Sequence, residues 1–397
     1  MSAVEVRLHG RKIGQLTHRS ELGDATEFRL DADYINTRAR AVLGQCFEDD
    51  PGRVWRTTHL VPAWFSNLLP EGVLRRLLAK RANVNPEREL HLLAVLGEDL
   101  PGAVTVHSMS GLAAAPLRPP RSPVANDEAL RFSLAGLQLK YSVDVSERGA
   151  TLPIRGQGGR WIAKLPDPRY PSVPENEAAM LSWATRAGLD VPEYRLVDLS
   201  RIEGLPHEEL AGLSGPALLV RRFDRGDDGD SVHIEDFAQI RGVFAEDKYN
   251  AANYESIGRV IYSQCGEVAL REYVGRLMFM LLSGNADMHL KNWSLIYPDR
   301  RRAALAPAYD LVATLAYAGT SRTLALKLAK TRAFSDIGFD AFARLARKIG
   351  ADETHVIEWA RAARDAQLDA WAATAGDLPH AQADAMVAHH RTLGRLR

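Results

Sequence analysis

The sequence contains few cysteines: Cys46 and Cys265 are the only two among 397 residues, and they lie far apart. Two distant thiols form neither a disulfide framework nor a thiolate metal site. The sequence also lacks any apolar run approaching the roughly 20 residues that a membrane-spanning helix needs. No signal-peptide core precedes the first alternating strand pattern, so we expect a cytoplasmic protein without a membrane partner.

The chain has no excess of charge of either sign, because 50 Lys and Arg residues balance 50 Asp and Glu residues. A balanced chain has no overall field that would draw it to nucleic acid or to an anionic membrane. Hydrophobic residues make up 46% and charged residues 25% of the chain, as in ordinary globular proteins. A length of 397 residues is sufficient for two or three domains.

The order of strand-like and helix-like patterns divides the chain into four parts. Residues 1–108 begin with short alternating strands and are predicted to form a β-rich N-terminal domain, whereas residues 109–127, rich in Ala, Pro and Arg, are predicted to be a linker. Residues 128–226 carry strand patterns, and residues 227–397 are mostly helical in pattern, with a helix predicted to begin within 233–239. The predicted fold class is therefore α+β.

A strongly polar stretch, residues 282–294, directly follows the apolar run 274–282, which is typical of a buried helix. Within it, Asp287 and Asn292 have the spacing of a kinase catalytic loop, where Asp accepts the proton of the attacking hydroxyl and Asn binds magnesium. Asp310 follows a strand-like segment and a basic turn, where a kinase needs a second metal-binding residue. The alternative interpretation is that the two aspartates cap helices and the asparagine lies in a turn.

Two segments further upstream could bind phosphate. Residues 131–143 run strand, turn, strand, and Gly136 would let backbone N–H groups approach a phosphate, although an ordinary hairpin explains the same pattern. Lys164 lies in a short apolar strand, and a buried lysine needs an anion. The candidates are a nucleotide phosphate and Glu177, at the start of a helix predicted over 177–188. A lysine that snorkels at the strand end is the alternative.

Taken in order, these motifs resemble the HipA family of serine/threonine kinases, the toxin partners of HipB-type antitoxins in bacterial toxin–antitoxin modules. The motifs that carry the resemblance are FSNLLPEG at 65–72, SLAGLQLK at 133–140, IAKLP at 162–166, NE at 176–177, RRFDR at 221–225, HIEDFAQ at 233–239, GNADMHLKNWS at 284–294 and PAYDLV at 307–312. They span nearly the whole chain, and their combination in this order is highly specific, while no single motif would be.

The resemblance implies a two-lobed kinase-like fold with a small β-rich N-terminal subdomain and a mostly helical C-terminal lobe, and it implies ATP and Mg²⁺ as cofactors. The residues that it assigns to nucleotide binding are Ala135, Gly136, Leu137, Gln138, Leu139, Lys140, Lys164, Arg221, Arg222, Phe223, His289, Leu290, Lys291, Asn292, Tyr309 and Asp310. It further implies Asp287 as the catalytic base, Asn292 and Asp310 as catalytic magnesium ligands, and Ser133 as a site of autophosphorylation.

The partners that the resemblance implies are a HipB-like helix-turn-helix antitoxin, DNA only through that antitoxin, and a protein substrate such as an aminoacyl-tRNA synthetase. One rival hypothesis is a nucleotide-binding pseudokinase that acts as a corepressor with its antitoxin. Another is a metal-dependent hydrolase built on Asp287 and His289, but no second cluster of His and Asp with ligand spacing accompanies them. Because no residue that a kinase needs is missing, we predict an active kinase.

Overall fold

The computed structural model of the protein describes residues 2–109, 140–146, 149–151, 159–203 and 212–396. In this described part of the chain the strands form three sheets. The predicted linker lies almost entirely outside the described residues. No helix within the described ranges is long and apolar enough to cross a membrane.

The first sheet is antiparallel and belongs to the N-terminal region. Its strands are β1 (Ala3–Leu8), β2 (Arg11–Arg19), β3 (Ala25–Leu30), β4 (Trp55–Thr58) and β5 (Val104–Ser108), in the order β4-β3-β2-β1-β5. The helices of this region are α1 (Ala32–Ile35), α2 (Gln45–Asp49), α3 (Ala63–Ser66), α4 (Gly72–Arg81) and α5 (Glu89–Leu96). Alternation places Val4, Val6 and Leu8 in the core, which confirms the predicted β-rich N-terminal region.

The second sheet carries the first half of the candidate site. Its strands are β6 (Lys140–Ser146), β7 (Gly149–Thr151), β8 (Trp161–Lys164), β9 (Tyr194–Asp198), β10 (Ile202–Glu203) and β11 (Pro216–Arg221), in the order β10-β7-β6-β8-β11-β9. Helix α6 (Val173–Arg186) packs on this sheet. It begins earlier than predicted, because Pro174 is tolerated in a first helical turn, where N–H groups have no helical partner. Glu177 therefore lies inside the helix rather than at its start.

The third sheet and the helices around it form the C-terminal lobe. The strands are β12 (His233–Asp236), β13 (Ser294–Tyr297) and β14 (Ala304–Leu305), in that order, and the helices are α7 (Phe237–Arg241), α8 (Tyr254–Leu282), α9 (Phe339–Ile349), α10 (Glu353–Thr374) and α11 (His380–Thr392). The hairpin of β13 and β14 confirms the strand and turn predicted before Asp310. The helix predicted to begin within 233–239 begins at Phe237, after the cap Asp236, and the residues before it form β12, a strand that was not predicted.

Helix α8 directly precedes the polar loop and positions it in the site. Its regular geometry is interrupted at Gly266, where φ is 80°, a value that glycine adopts without strain. The apolar run 274–282 forms its last turns and is buried in the large core of the C-terminal lobe, as predicted. The buried last turns of α8 thus end directly before residue 283, where the polar loop begins.

A buried carboxylate joins the N-terminal region to the C-terminal lobe. Glu235 in β12 accepts hydrogen bonds from the backbone N–H of Gln45 (3.0 Å), from Trp64 Nε1 (3.3 Å) and from the hydroxyl of Tyr297. Burial raises the pKa of Glu235 to about 7, although these donors favour its charged form. The contact therefore contains a group that changes charge near neutral pH.

Replacing this group, Glu235→Gln, is expected to reduce the pH dependence of folding stability. Folding raises the pKa of Glu235 from 4.5 to about 7. Protonated Glu235 therefore stabilises the folded state fully at low pH, and this contribution is lost as the pH rises through 7. Its size is on the order of 3 kcal/mol. Urea unfolding of both proteins between about pH 5 and pH 7.5 measures the difference. Equal losses of stability in the two proteins would contradict the assignment.

Candidate active site

Two lysines from neighbouring strands meet one aspartate at the centre of the site. Lys164, 4% exposed at the end of β8, forms ion pairs with Glu177 from α6 and with Asp310. Lys140 lies opposite Lys164 in β6, and its Nζ is 3.2 Å from Asp310 Oδ2. Glu177, one of the two candidate partners of Lys164, does pair with it, and the alternative of a snorkelling lysine was wrong.

The charges of this cluster stabilise one another. Burial disfavours the charged form of Lys164, but Asp310 and Glu177 outweigh it and raise its pKa. Burial likewise disfavours the Asp310 carboxylate, but Lys140 and Lys164 hold its pKa well below the usual range. For Glu177 burial prevails over the attraction of Lys164 and raises the pKa. Asp310 is therefore ionised at neutral pH, the state in which a carboxylate binds a cation.

The backbone at Asp310 has an unusual conformation. Its φ is 53°, in the left-handed region that costs a residue with a side chain about 1 kcal/mol or more. The Asp310 carbonyl accepts a hydrogen bond from Asn285 Nδ2 (3.3 Å). The hydroxyl of the preceding Tyr309 donates to the Lys291 carbonyl (2.9 Å) and bonds to Ser294 Oγ (2.6 Å). Contacts with the polar loop therefore hold the strained residue in place.

The polar loop after α8 presents Asp287 and Asn292. Asp287 Oδ1 accepts a hydrogen bond from the hydroxyl of Tyr249 (2.6 Å), and the Asp287 N–H donates to Asn285 Oδ1 (3.0 Å). Asn292 donates its side-chain N–H to the Asp287 carbonyl (2.9 Å), which closes the loop. The amide oxygen of Asn292 then remains as a group that could bind a cation.

A cavity of about 600 Å³ lies between the second sheet, the polar loop and the N-terminal region. The residues predicted to bind nucleotide that line it are Lys140, Lys164, Arg221, Arg222, Phe223, His289, Lys291, Asn292, Tyr309 and Asp310. A second cavity of about 20 Å³, enough for about one water or ion, is lined by Lys164, Glu177, Asp287, Asn292 and Asp310 among others. Leu290 is instead fully buried in the hydrophobic core.

Magnesium fits the residues around the small cavity. Within the described ranges no group of three or more His, Cys, Asp or Glu side chains could hold a metal ion. Magnesium usually keeps several waters and takes only one or two protein carboxylates, and it prefers oxygen ligands. The amide oxygen of Asn292 and the carboxylate of Asp310 meet that requirement.

Arg222 and Phe223 have different surroundings at the edge of the larger cavity. The Arg222 guanidinium is buried and forms ion pairs with Asp224 (2.9 Å) and with Asp99 of the N-terminal region (2.8 Å). Its charge is therefore already compensated. The ring of Phe223 lies 5.5 Å from that of Tyr309, and both line the cavity. An aromatic face is consequently available there for a planar ligand.

Two other cationic side chains predicted to contact nucleotide also have partners. Arg221 pairs with Glu193 (3.3 Å), and Lys291 pairs with Glu71 of the N-terminal region (3.0 Å). Glu71 also pairs with Lys248 (2.7 Å). Burial disfavours the charged form of Glu71, but Lys291 and Lys248 outweigh it and lower the pKa of Glu71. Sequence reasoning missed Glu71 as a site residue, although it lies in a motif that carries the family resemblance.

His289 lines the larger cavity, and its ring nitrogens have no hydrogen-bond partner among the described residues. Its side chain is 2% exposed. Burial lowers the pKa of His289 well below its usual value, so the ring is neutral at pH 7. A neutral imidazole can donate one hydrogen bond and accept another. A bound ligand could therefore satisfy these nitrogens.

Six further residues, within 133–139, were predicted to belong to the site. Ser133, Ala135, Gly136, Leu137, Gln138 and Leu139 lie outside the described residues. Lys140, the last residue of the predicted nucleotide loop, is the first described residue after that gap, and it faces Asp310.

Two family models together match most of the chain. The family model of the HipA N-terminal domain matches residues 4–107, and that of the HipA-like C-terminal domain matches residues 132–371. The chain belongs to the HipA family. It is 44% identical, over 99% of its length and 97% of the relative, to "Putative kinase Y4dM" of Sinorhizobium fredii. It is 31% identical, over 72% of each chain, to "Putative kinase Y4mE" of the same organism.

A solved structure shares the HipA fold of this chain. HipA of Shewanella oneidensis MR-1, solved as a complex with HipB and its operator DNA, matches with a TM-score of 0.75 at 20% sequence identity. The match covers 99% of this chain and 96% of that one. The predicted HipA-like fold is thereby confirmed.

Proposed function

We propose that this HipA-family protein is an ATP- and magnesium-dependent serine/threonine protein kinase. The observation that carries the proposal is the convergence of Lys164, Asn292 and Asp310 on two adjoining cavities, with Asp287 at the smaller one. Phosphoryl transfer requires little covalent chemistry of the protein. Catalysis is mainly positioning and stabilisation of charge, which this arrangement can supply.

Each residue has a role in the proposed reaction. Lys140 and Lys164 would bind phosphate oxygens, and Asn292 and Asp310 would hold magnesium, which would supply positive charge to neutralise the phosphates. The hydroxyl oxygen of the substrate forms a bond to the terminal phosphorus as the bond to the ADP oxygen breaks. Asp287 accepts the proton of that hydroxyl.

The biological role that we propose is that of the toxin in a toxin–antitoxin pair. The partner would be a helix-turn-helix antitoxin similar to HipB, which alone would contact DNA. Support comes from family membership and from the fold shared with a HipA that was solved with HipB and operator DNA. The substrate would be a protein of translation, such as an aminoacyl-tRNA synthetase, and the protein would also phosphorylate its own Ser133.

Incubation of the purified protein with γ-labelled ATP, magnesium and candidate substrates tests the proposal. Transfer of label to serine of a second protein supports it, and peptide mass spectrometry of the kinase itself tests Ser133. Binding of ATP without any transfer would favour the pseudokinase that represses with its antitoxin. Expression in cells with and without the neighbouring antitoxin gene tests the toxin role through growth.

Asp310→Asn is expected to abolish most of the effect of magnesium on ATP affinity. The substitution removes the charge that would hold the metal, but it also removes the carboxylate that Lys140 and Lys164 share, which leaves Lys164 paired with Glu177 alone. Affinity for metal-free ATP should therefore be unchanged or higher, while affinity with magnesium falls about tenfold or more. Calorimetry with magnesium and with EDTA measures both.

The matched control is Asp299→Asn, in the exposed turn between β13 and β14, which should behave as wild type in both titrations. An Asp310→Asn protein in which magnesium strengthens ATP binding as in wild type would show that Asp310 is not a metal ligand.

A further inference from the structure

The C-terminal helix α11 contacts the end of α8 directly before the catalytic loop. His389 Nε2 lies 2.7 Å from the Leu281 carbonyl, and His390 Nε2 lies 2.9 Å from the Leu282 carbonyl. The last four carbonyls of a helix have no partner within the helix and need donors from elsewhere. Two consecutive histidines supply such donors to the final two residues of α8.

The ring of His389 also borders the turn into the loop. Gly284 has a φ of 60°, and a Cβ placed there would lie 3.2 Å from His389 Cδ2 and 2.9 Å from Leu315 Cδ1. Phe334 packs edge-on against the His389 ring, with centroids 5.1 Å apart. The His389 ring thus packs against Phe334 and lies next to Gly284, where the chain turns from α8 into the loop.

A third residue of α11 reaches the other side of the site. Gln382 Oε1 accepts a hydrogen bond from Asn176 Nδ2 (2.9 Å), and Asn176 Oδ1 accepts one from the Ala313 N–H (2.8 Å). Asn176 directly precedes Glu177, the partner of Lys164, and Ala313 follows Asp310 by three residues. One helix therefore connects to the segments that carry Glu177, Asp310 and the polar loop.

We propose that His389 and His390 are positioning residues, which hold the catalytic loop in the geometry needed for transfer by capping the end of α8. The proposal rests on the proposed kinase function. Burying an imidazole costs free energy unless its nitrogens are hydrogen-bonded, and here the bonds go to the two carbonyls that precede the loop. Helix α11 begins at residue 380, beyond the matched family domain, which ends at residue 371.

The test compares two double variants. In the first, His389→Ala with His390→Ala, both donors are lost, and in the second, His389→Gln with His390→Gln, each side chain keeps an N–H at a similar distance. We expect the alanine variant to lose about 10- to 100-fold in kcat, as for a small misplacement of reacting groups, with the KM for ATP changed less than about twofold. The glutamine variant should recover most of kcat. His380→Ala, exposed at the start of the same helix, is the control.

Amide hydrogen exchange provides a readout that does not depend on kinase activity. Exchange over residues 283–292 should be faster in the alanine variant than in wild type, while exchange in β2 of the N-terminal sheet is unchanged. If wild type transfers no phosphate, the proposed function fails, but faster exchange would still support the role of the two histidines. A folded alanine variant with wild-type kcat and wild-type exchange would overturn it, and so would a glutamine variant as impaired as the alanine variant.

Discussion

Asp287→Asn is expected to slow phosphoryl transfer by roughly 10²- to 10⁴-fold, the usual contribution of a general base. ATP affinity should remain near that of wild type, because Asp287 lines the small cavity and is absent from the lining of the larger one. Asparagine retains an oxygen that can accept the hydrogen bond from Tyr249. The loop should therefore keep its conformation while losing the group that takes the proton.

Single-turnover transfer and calorimetric ATP titration measure the two quantities separately. A fall in transfer without a change in affinity would assign Asp287 to the chemical step. A parallel loss of affinity would point to collapse of the loop, and transfer at the wild-type rate would exclude Asp287 as the base. Asp299→Asn serves again as the exposed control, since it removes a carboxylate from the β13–β14 turn.

Lys164→Met is expected to destabilise the fold and to abolish ATP binding. The substitution leaves Glu177 and Asp310 close together without the buried cation between them, and removing one member of a buried ion pair costs about 3–5 kcal/mol. ATP loses a phosphate contact at the same time. Urea unfolding reports the first effect and calorimetry the second.

The double variant Lys164→Met with Glu177→Gln separates the two effects. Glutamine removes the unpaired carboxylate, so the double variant should recover much of the stability. It should not recover ATP affinity, because the cation is still missing. A Lys164→Met protein that binds ATP as wild type does would refute the assignment of Lys164 to phosphate binding, whatever its stability.

The sequence predicts the site best where the residues are close in the chain. Asp287 and Asn292 belong to one loop, and Lys164 finds Glu177 only 13 positions away. The helix start at residue 173 and the short strand β12 were missed, because a single proline or four residues give little periodic signal. Local patterns thus identified the candidate chemistry more reliably than the boundaries of the elements.

Contacts with the N-terminal region could not be predicted in the same way. The bond between Trp64 and Glu235 joins residues 171 positions apart, and Lys291 meets Glu71 over a still larger separation. Charged residues such as these are normally solvated, so nothing in their local sequence indicates that they are buried or which partner they have. The burial and the partners of these residues are determined only by the packing of the N-terminal region against the C-terminal lobe.

The register that sets Lys140 opposite Lys164, with Asp310 between them, means that the site contains its own counterion. An incoming phosphate must compete with that carboxylate for both ammonium groups. In the proposed reaction Asp310 would instead help to hold magnesium, which would leave both ammonium groups available to the phosphate. If both bind as proposed, nucleotide and metal would bind cooperatively, and each would raise the affinity of the other by the same factor.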